Sequence, residues 1–158
     1  LIPEGGTNEL AIKGAAEISS LIHKKFDYYC LPVGTGGTIA GLITGLQNHG
    51  RIIGFSALKG SFLTEEVSTL LGNYTQQKFG NWEINNDYHF GGYAKVKPEL
   101  IEFIREMESD FDLPLDPVYT GKMMYGLVDL IRKGVIPKGA KVLAIHTGGL
   151  QGRRGFGL

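Results

Sequence analysis

Residues 28–57 open with Tyr28-Tyr29-Cys30-Leu31-Pro32-Val33-Gly34-Thr35-Gly36-Gly37-Thr38-Ile39 and close with Arg51-Ile52-Ile53-Gly54-Phe55-Ser56-Ala57. The first six residues are a short apolar run bounded by Gly34, the pattern of a strand buried on both faces. A glycine-rich turn follows at once. From Thr38, residues Ile39, Leu42, Ile43 and Leu46 recur at helical spacing, and Asn48-His49-Gly50 offers a left-handed end. Residues 51–57 return to a strand through Ile52, Ile53 and Phe55. Strand, turn, helix and strand within about thirty residues is a parallel crossover unit. The expected fold class is therefore α/β, an open, mostly parallel sheet with helices on both faces.

Outward from this unit the same alternation continues. Thr7-Asn8 can cap a helix over 9–25, with Leu10, Ile12, Ala15, Ile18, Leu21 and Ile22 at approximate helical spacing. Residues 62–71 predict another helix. Residues 72–97 hold no sustained period beyond a short strand over 82–84. Pro98 suits a first helical turn, and Leu100, Ile101, Ile104 and Met107 line one face as far as about Asp110. After the break at Asp116-Pro117, a helix over 122–133 ends at Gly134 and leads to a strand over 141–146. No repeat or linker divides these elements, so residues 1–158 are expected to form one domain.

The sixteen basic residues balance the sixteen acidic ones. With no basic run longer than the pairs Lys24-Lys25 and Arg153-Arg154, no electrostatic footprint for nucleic acid is present. Every apolar run is interrupted well short of the roughly 20 residues that span a bilayer. The single cysteine, Cys30, excludes an intrachain disulfide, reads as a buried strand thiol, and fits a reducing cytoplasm. The chain begins with Leu1 and without the leader or apolar core of a signal peptide, as the C-terminal part of a longer chain would.

The turn Val33-Gly34-Thr35-Gly36-Gly37-Thr38 lies between strand and helix, where free amides and the positive end of the helix dipole favour an anion. Glycines let the backbone approach a phosphate, and Thr35 and Thr38 add uncharged hydroxyl donors. A plain tight turn would use the same glycines. Ile39 stands where a dinucleotide fingerprint needs Gly, no acidic residue follows the second strand, and no Gly-Lys-Ser/Thr triplet exists, so a single phosphate is favoured. His23, His49 and His89 lack metal-ligand spacing, and His146 suits a locally hydrogen-bonded strand end.

Five segments recur in one order: Pro3-Glu4-Gly5-Gly6, the Gly34 to Thr38 turn, Phe90-Gly91-Gly92-Tyr93, Asp116-Pro117-Val118-Tyr119-Thr120-Gly121-Lys122 and His146-Thr147-Gly148-Gly149. Together they resemble the 1-aminocyclopropane-1-carboxylate deaminase/D-cysteine desulfhydrase family. The resemblance implies pyridoxal 5'-phosphate as cofactor and a tryptophan synthase β-like fold, of which this chain would be most of the large domain. It also implies a lysine for the cofactor aldehyde in an upstream segment, which these residues lack, so the chain alone is expected to be inactive. Gly34, Thr35, Gly36, Gly37 and Thr38 correspond to the phosphate loop. Tyr93 and Tyr119 match the family's two active-site tyrosines, although a core position would suit either alone. Thr147 matches the residue whose hydroxyl faces the pyridine nitrogen, with Thr120 beside the same edge. Lys122 is expected to be structural, and Glu4 suits a turn or cap as well as an acid.

The deaminases proper carry Tyr-Glu-Gly-Lys where this chain has Tyr119-Thr120-Gly121-Lys122. A carboxylate near the ring nitrogen strengthens the electron sink. The expected reaction is therefore β-elimination from a small amino acid, D-cysteine giving pyruvate, sulfide and ammonia. The alternatives are 1-aminocyclopropane-1-carboxylate deamination and a non-catalytic phosphate- or pyridoxal-binding module. The complete enzyme is expected to be a cytoplasmic homodimer.

Overall fold

A computed structural model describes residues 6–158, so Pro3, Glu4 and Gly5 of the first family motif lie outside the described residues. Four strands, β1 (Tyr28–Val33), β2 (Arg51–Ser56), β3 (Trp82–Asn85) and β4 (Val142–Ala144), form one sheet in the order β3-β2-β1-β4. Each neighbouring pair is parallel, with Tyr28 opposite Arg51 on one side and Val142 on the other. Parallel neighbours require crossovers. Helix α2 (Gly37–Leu46) joins β1 to β2, α3 (Leu63–Tyr74) joins β2 to β3, and α4 (Pro98–Phe111) and α5 (Thr120–Arg132) lie between β3 and β4.

The central strands are apolar along their length because both of their faces are covered. Tyr29, Leu31, Val33 and Ile52 pack with Ile12 of α1 (Glu9–Ala16), Leu42 of α2 and Val67 of α3. On the opposite face Cys30, Ile53 and Phe55 meet Met123, Leu127 and Leu130 of α5. Helix α4 covers the outer side of α5 through Leu100 and Ile104, which pack with Met124 and Tyr125. The two-faced α/β architecture is as the sequence predicts.

Two expected elements end early and one segment is added. The helix expected over 9–25 is α only to Ala16 and then tightens into a 3₁₀ turn, Glu17–Leu21. There the Ser19 and Ser20 hydroxyls bond the Ala16 and Glu17 carbonyls, a local alternative to the helical ladder. The strand expected over 141–146 is shortened to Val142–Ala144, although Ile145 N still donates to Cys30 O at 2.8 Å. The chain closes with a 3₁₀ segment, Leu150–Phe156, which has no readable period and is held to α4 by the Arg153–Glu108 ion pair.

Helix α2 lies so close to α1 that its glycines are packing residues. A β-carbon on Gly41 would stand 2.4 Å from Ala15 Cβ and 2.6 Å from the Ile12 carbonyl oxygen. Alanine improves helix propensity by up to about 1 kcal/mol, but overpacking against backbone costs about 1–3 kcal/mol. Gly41→Ala is therefore expected to destabilise the protein in urea unfolding. Gly14→Ala, where a β-carbon meets nothing within 4 Å, is the control and should be neutral or stabilising.

Candidate functional site

Strand β1 runs into the turn Gly34-Thr35-Gly36, and Gly36, at φ +87°, turns the chain into α2 in a left-handed conformation that glycine adopts without strain. Among the described residues no protein acceptor engages the amides of Thr35, Gly36, Gly37, Thr38 or Ile39. Thr35 and Thr38 are exposed, and Thr35 Oγ1 shares a 2.7 Å hydrogen bond with Thr7 Oγ1. The turn therefore presents a row of unpaired donors at a helix N-terminus, a setting suited to a phosphate group.

A second glycine turn, Thr147-Gly148-Gly149, follows β4 and faces the first across a cavity of about 380 Å³. Gly34, Thr35, Gly36, Gly37, Thr38, Tyr119, Thr147 and Gln151 all line it. Among the described residues none that line it is acidic. Gln151 is a contributor with no sequence signal, since nothing in Leu150-Gln151-Gly152 marks a site.

Tyr119 stands at the cavity edge with its ring against the first glycine turn: a β-carbon on Gly34 would lie 3.2 Å from Tyr119 Cε1. The Tyr93 ring meets it edge-on, centroids 6.1 Å apart. The structure thus brings the two predicted tyrosines together. Burial, and secondarily the neighbouring Tyr93 hydroxyl, raises the Tyr119 pKa above its ordinary value of 10.0, so its phenol is neutral and able to donate at physiological pH. Tyr93 is 59% exposed and does not line the cavity itself.

Thr120 departs from expectation. It is fully buried, is not among the cavity's lining residues, and its hydroxyl is committed to Asp116. Thr120 Oγ1 donates to Asp116 Oδ2 at 2.7 Å and accepts from Asp116 N at 2.9 Å. Its position in the motif is adjacent to the site, but its hydroxyl is closed on Asp116 rather than on the cavity.

Asp116 is the organising residue that sequence reasoning missed. Its carboxylate accepts from Val118 N (2.9 Å), Tyr119 N (2.8 Å), Thr120 N (2.9 Å) and the Thr120 hydroxyl, and so caps α5 and fixes the turn that carries Tyr119. It also lies directly behind the second glycine turn, since a β-carbon on Gly149 would stand 3.2 Å from Asp116 Cγ. The spacing Asp116 to Thr120, ahead of a helical period, was the available sign of a cap.

The remaining candidates behave as structural groups. Lys122 is buried, as its expected structural role requires, and burial lowers its pKa to about 8 against a partly opposing effect of Asp116. Burial pushes the Cys30 thiol up to about 12, which makes it inert near neutrality. His146 Nδ1 accepts from Gly148 N within its own turn, while Nε2 bonds the distant Pro114 carbonyl. Among the described residues no group of three metal-ligating side chains occurs, and no helix is long and apolar enough to cross a membrane.

Comparison with known proteins agrees with this geometry. A Pyrococcus horikoshii protein provisionally named 1-aminocyclopropane-1-carboxylate deaminase is 36% identical over 99% of this chain and 51% of its own length. The 1-aminocyclopropane-1-carboxylate deaminase of Bradyrhizobium sp. strain ORS 278 is 36% identical over 84% of this chain and 42% of its own. The crystal structure of an ACC deaminase homologue superposes with a TM-score of 0.82 at 35% identity, covering 99% of this chain and 51% of that one. A tomato threonine deaminase, 20% identical with a TM-score of 0.54, shares the fold, that of the tryptophan synthase β-like group. The chain spans about half the length of the curated relatives it matches. The donor set fits pyridoxal phosphate: unpaired amides and hydroxyls at one wall for the phosphate, an uncharged hydroxyl and a phenol at the others. The pyridoxal-phosphate dependent enzyme pattern matches residues 3–148, and the chain belongs to that family.

Proposed function

We propose that the full-length enzyme carrying this chain catalyses β-elimination from a small amino acid, converting D-cysteine and water to pyruvate, hydrogen sulfide and ammonia. The observation that carries this reading is the uncharged lining that the described residues give the cavity. Bound pyridoxal phosphate supplies an electron sink for breaking the substrate's Cα–H bond, and a carboxylate beside its ring nitrogen would deepen that sink. Here the residue proposed to face that nitrogen is Thr147, whose hydroxyl cannot hold it protonated as a carboxylate can.

A weaker sink suits a substrate whose β-substituent departs readily. Loss of thiolate from D-cysteine meets that condition, whereas opening the cyclopropane ring has no conventional leaving group. The backbone amides and hydroxyls of Gly34 to Thr38 would hold the cofactor phosphate. Tyr119, kept neutral by its surroundings, would donate to the substrate, with Tyr93 as its partner. The lysine for the cofactor aldehyde would come from an upstream segment, as it does in the resembling family, so the 158 residues alone would not turn over D-cysteine.

The second reading, 1-aminocyclopropane-1-carboxylate deamination, is favoured by the names of the relatives. Steady-state comparison of D-cysteine, β-chloro-D-alanine and 1-aminocyclopropane-1-carboxylate on the full-length enzyme separates the two.

A further inference from the structure

Helix α5 carries a buried charge that the proposed chemistry does not use. Lys122 is 1% exposed and lies outside the lining of the cavity. Among the described residues it has no ion-pair partner within bonding distance. A lysine is seldom buried in this way, because removing an ammonium from water is costly unless other groups replace its hydration. Two carbonyls from separate segments do so here. Lys122 Nζ donates to Gly92 O at 2.7 Å and reaches Ala57 O, just beyond the end of β2, at 3.5 Å.

Gly92 belongs to a turn whose backbone is unusual. Phe90, Gly91, Gly92 and Ala94 all have positive φ, at 55°, 105°, 117° and 51°. Two of these are not glycine, and such conformations persist where the surroundings over-determine them. The turn's own hydrogen bonds close it on itself: Gly91 N donates to His89 Nδ1, Gly92 N to His89 O, and Lys95 N to Gly92 O. Phe90 packs edge-on against Tyr125 of α5, with ring centroids 5.0 Å apart. Lys122 adds a polar tie from the turn to the sheet.

Tyr93 sits within this turn, its side chain exposed and set against Tyr119 by an edge-on ring contact and by the neighbouring hydroxyl. We propose that Lys122 is a positioning residue that pins the Gly92 carbonyl to the end of β2 and thereby holds Tyr93 against Tyr119. The two ends of one motif then set both tyrosines. Asp116 fixes the turn of Tyr119, and Lys122 fixes the turn of Tyr93. The functional half of this proposal rests on the reading that the tyrosine pair meets the substrate.

The test uses the full-length enzyme with its cofactor. Lys122→Met keeps the length of the side chain and removes the donors, while Lys122→Gln keeps a neutral donor and carries the same measurements should the Met variant fail to fold. Lys122→Met is expected to lower kcat by about tenfold or more, the scale of a misplaced group, with partial recovery in Lys122→Gln. The double variant with Tyr93→Phe should be no slower than Tyr93→Phe alone, because both changes remove one function. Trypsin should cut after the exposed Lys95 several-fold faster in Lys122→Met, as the turn loosens locally. Multiplicative losses in the double variant, or unchanged cleavage at Lys95, overturn the proposal and leave the tyrosine reading standing. A Tyr93→Phe enzyme of undiminished kcat overturns both.

Discussion

Replacing Tyr119 by Phe in the full-length enzyme is expected to lower kcat for D-cysteine by about 100-fold or more, the scale of a lost acid–base group, while cofactor affinity stays near that of the parent. The two effects separate because the ring and the hydroxyl have different tasks. The ring packs on the glycine turn at Gly34, and Phe preserves that contact. The hydroxyl faces that of Tyr93 and is the group proposed to meet the substrate. Since burial and then Tyr93 raise its pKa above 10.0, the phenol holds its proton throughout the neutral range. The alkaline limb that its ionisation imposes on kcat therefore lies above pH 10 and should vanish in the variant. Steady-state kinetics across pH, with a cofactor titration, checks both points. An unchanged kcat removes Tyr119 from the chemistry.

Asp116→Ala is expected to be the most damaging single change to stability. Four donors converge on its carboxylate, the residue is 2% exposed, and hydrogen bonds to a charged group contribute about 1.5–3 kcal/mol each. Truncation leaves buried amides and a hydroxyl without their acceptor and uncaps α5, so a loss of about 3 kcal/mol or more is expected, against a total stability of about 5–15 kcal/mol for an ordinary domain. Asp116→Asn, which keeps one acceptor oxygen, should lose less. Denaturant unfolding measures the difference. An Asp116→Ala protein within about 0.5 kcal/mol of the parent, the range of inert surface changes, contradicts the capping role.

The contrast between Tyr119 and Thr120 shows how far the sequence reaches. Strand 28–33 was legible because its apolar run stops at a glycine, and the turn that follows could be placed between strand and helix by periodicity alone. The meeting of Tyr93 with Tyr119, which are far apart in the chain, was legible only through the order of family motifs. The direction of the Thr120 hydroxyl was not, because it depends on a hydrogen-bond pair with a residue four positions earlier whose burial is set by the Gly149 turn. The early end of α1 was equally hidden, since the serine bonds that tighten it compete with helix propensity and the neighbouring helix fixes where it must pass. The motif alone makes Lys122 structural. Its two carbonyl partners come from segments 30 and 65 residues away, a distance over which no local pattern speaks.

The uncharged lining that the described residues give the cavity makes substrate choice the most direct test of the proposed chemistry. The measurement is kcat/KM of the full-length enzyme for D-cysteine, β-chloro-D-alanine and 1-aminocyclopropane-1-carboxylate under one set of conditions. A sink without a carboxylate at the ring nitrogen penalises ring opening more than departure of thiolate or chloride. The account predicts that D-cysteine and β-chloro-D-alanine are processed far more efficiently than the cyclopropane substrate. Equal or greater efficiency on 1-aminocyclopropane-1-carboxylate would contradict it and assign the enzyme to the deaminases.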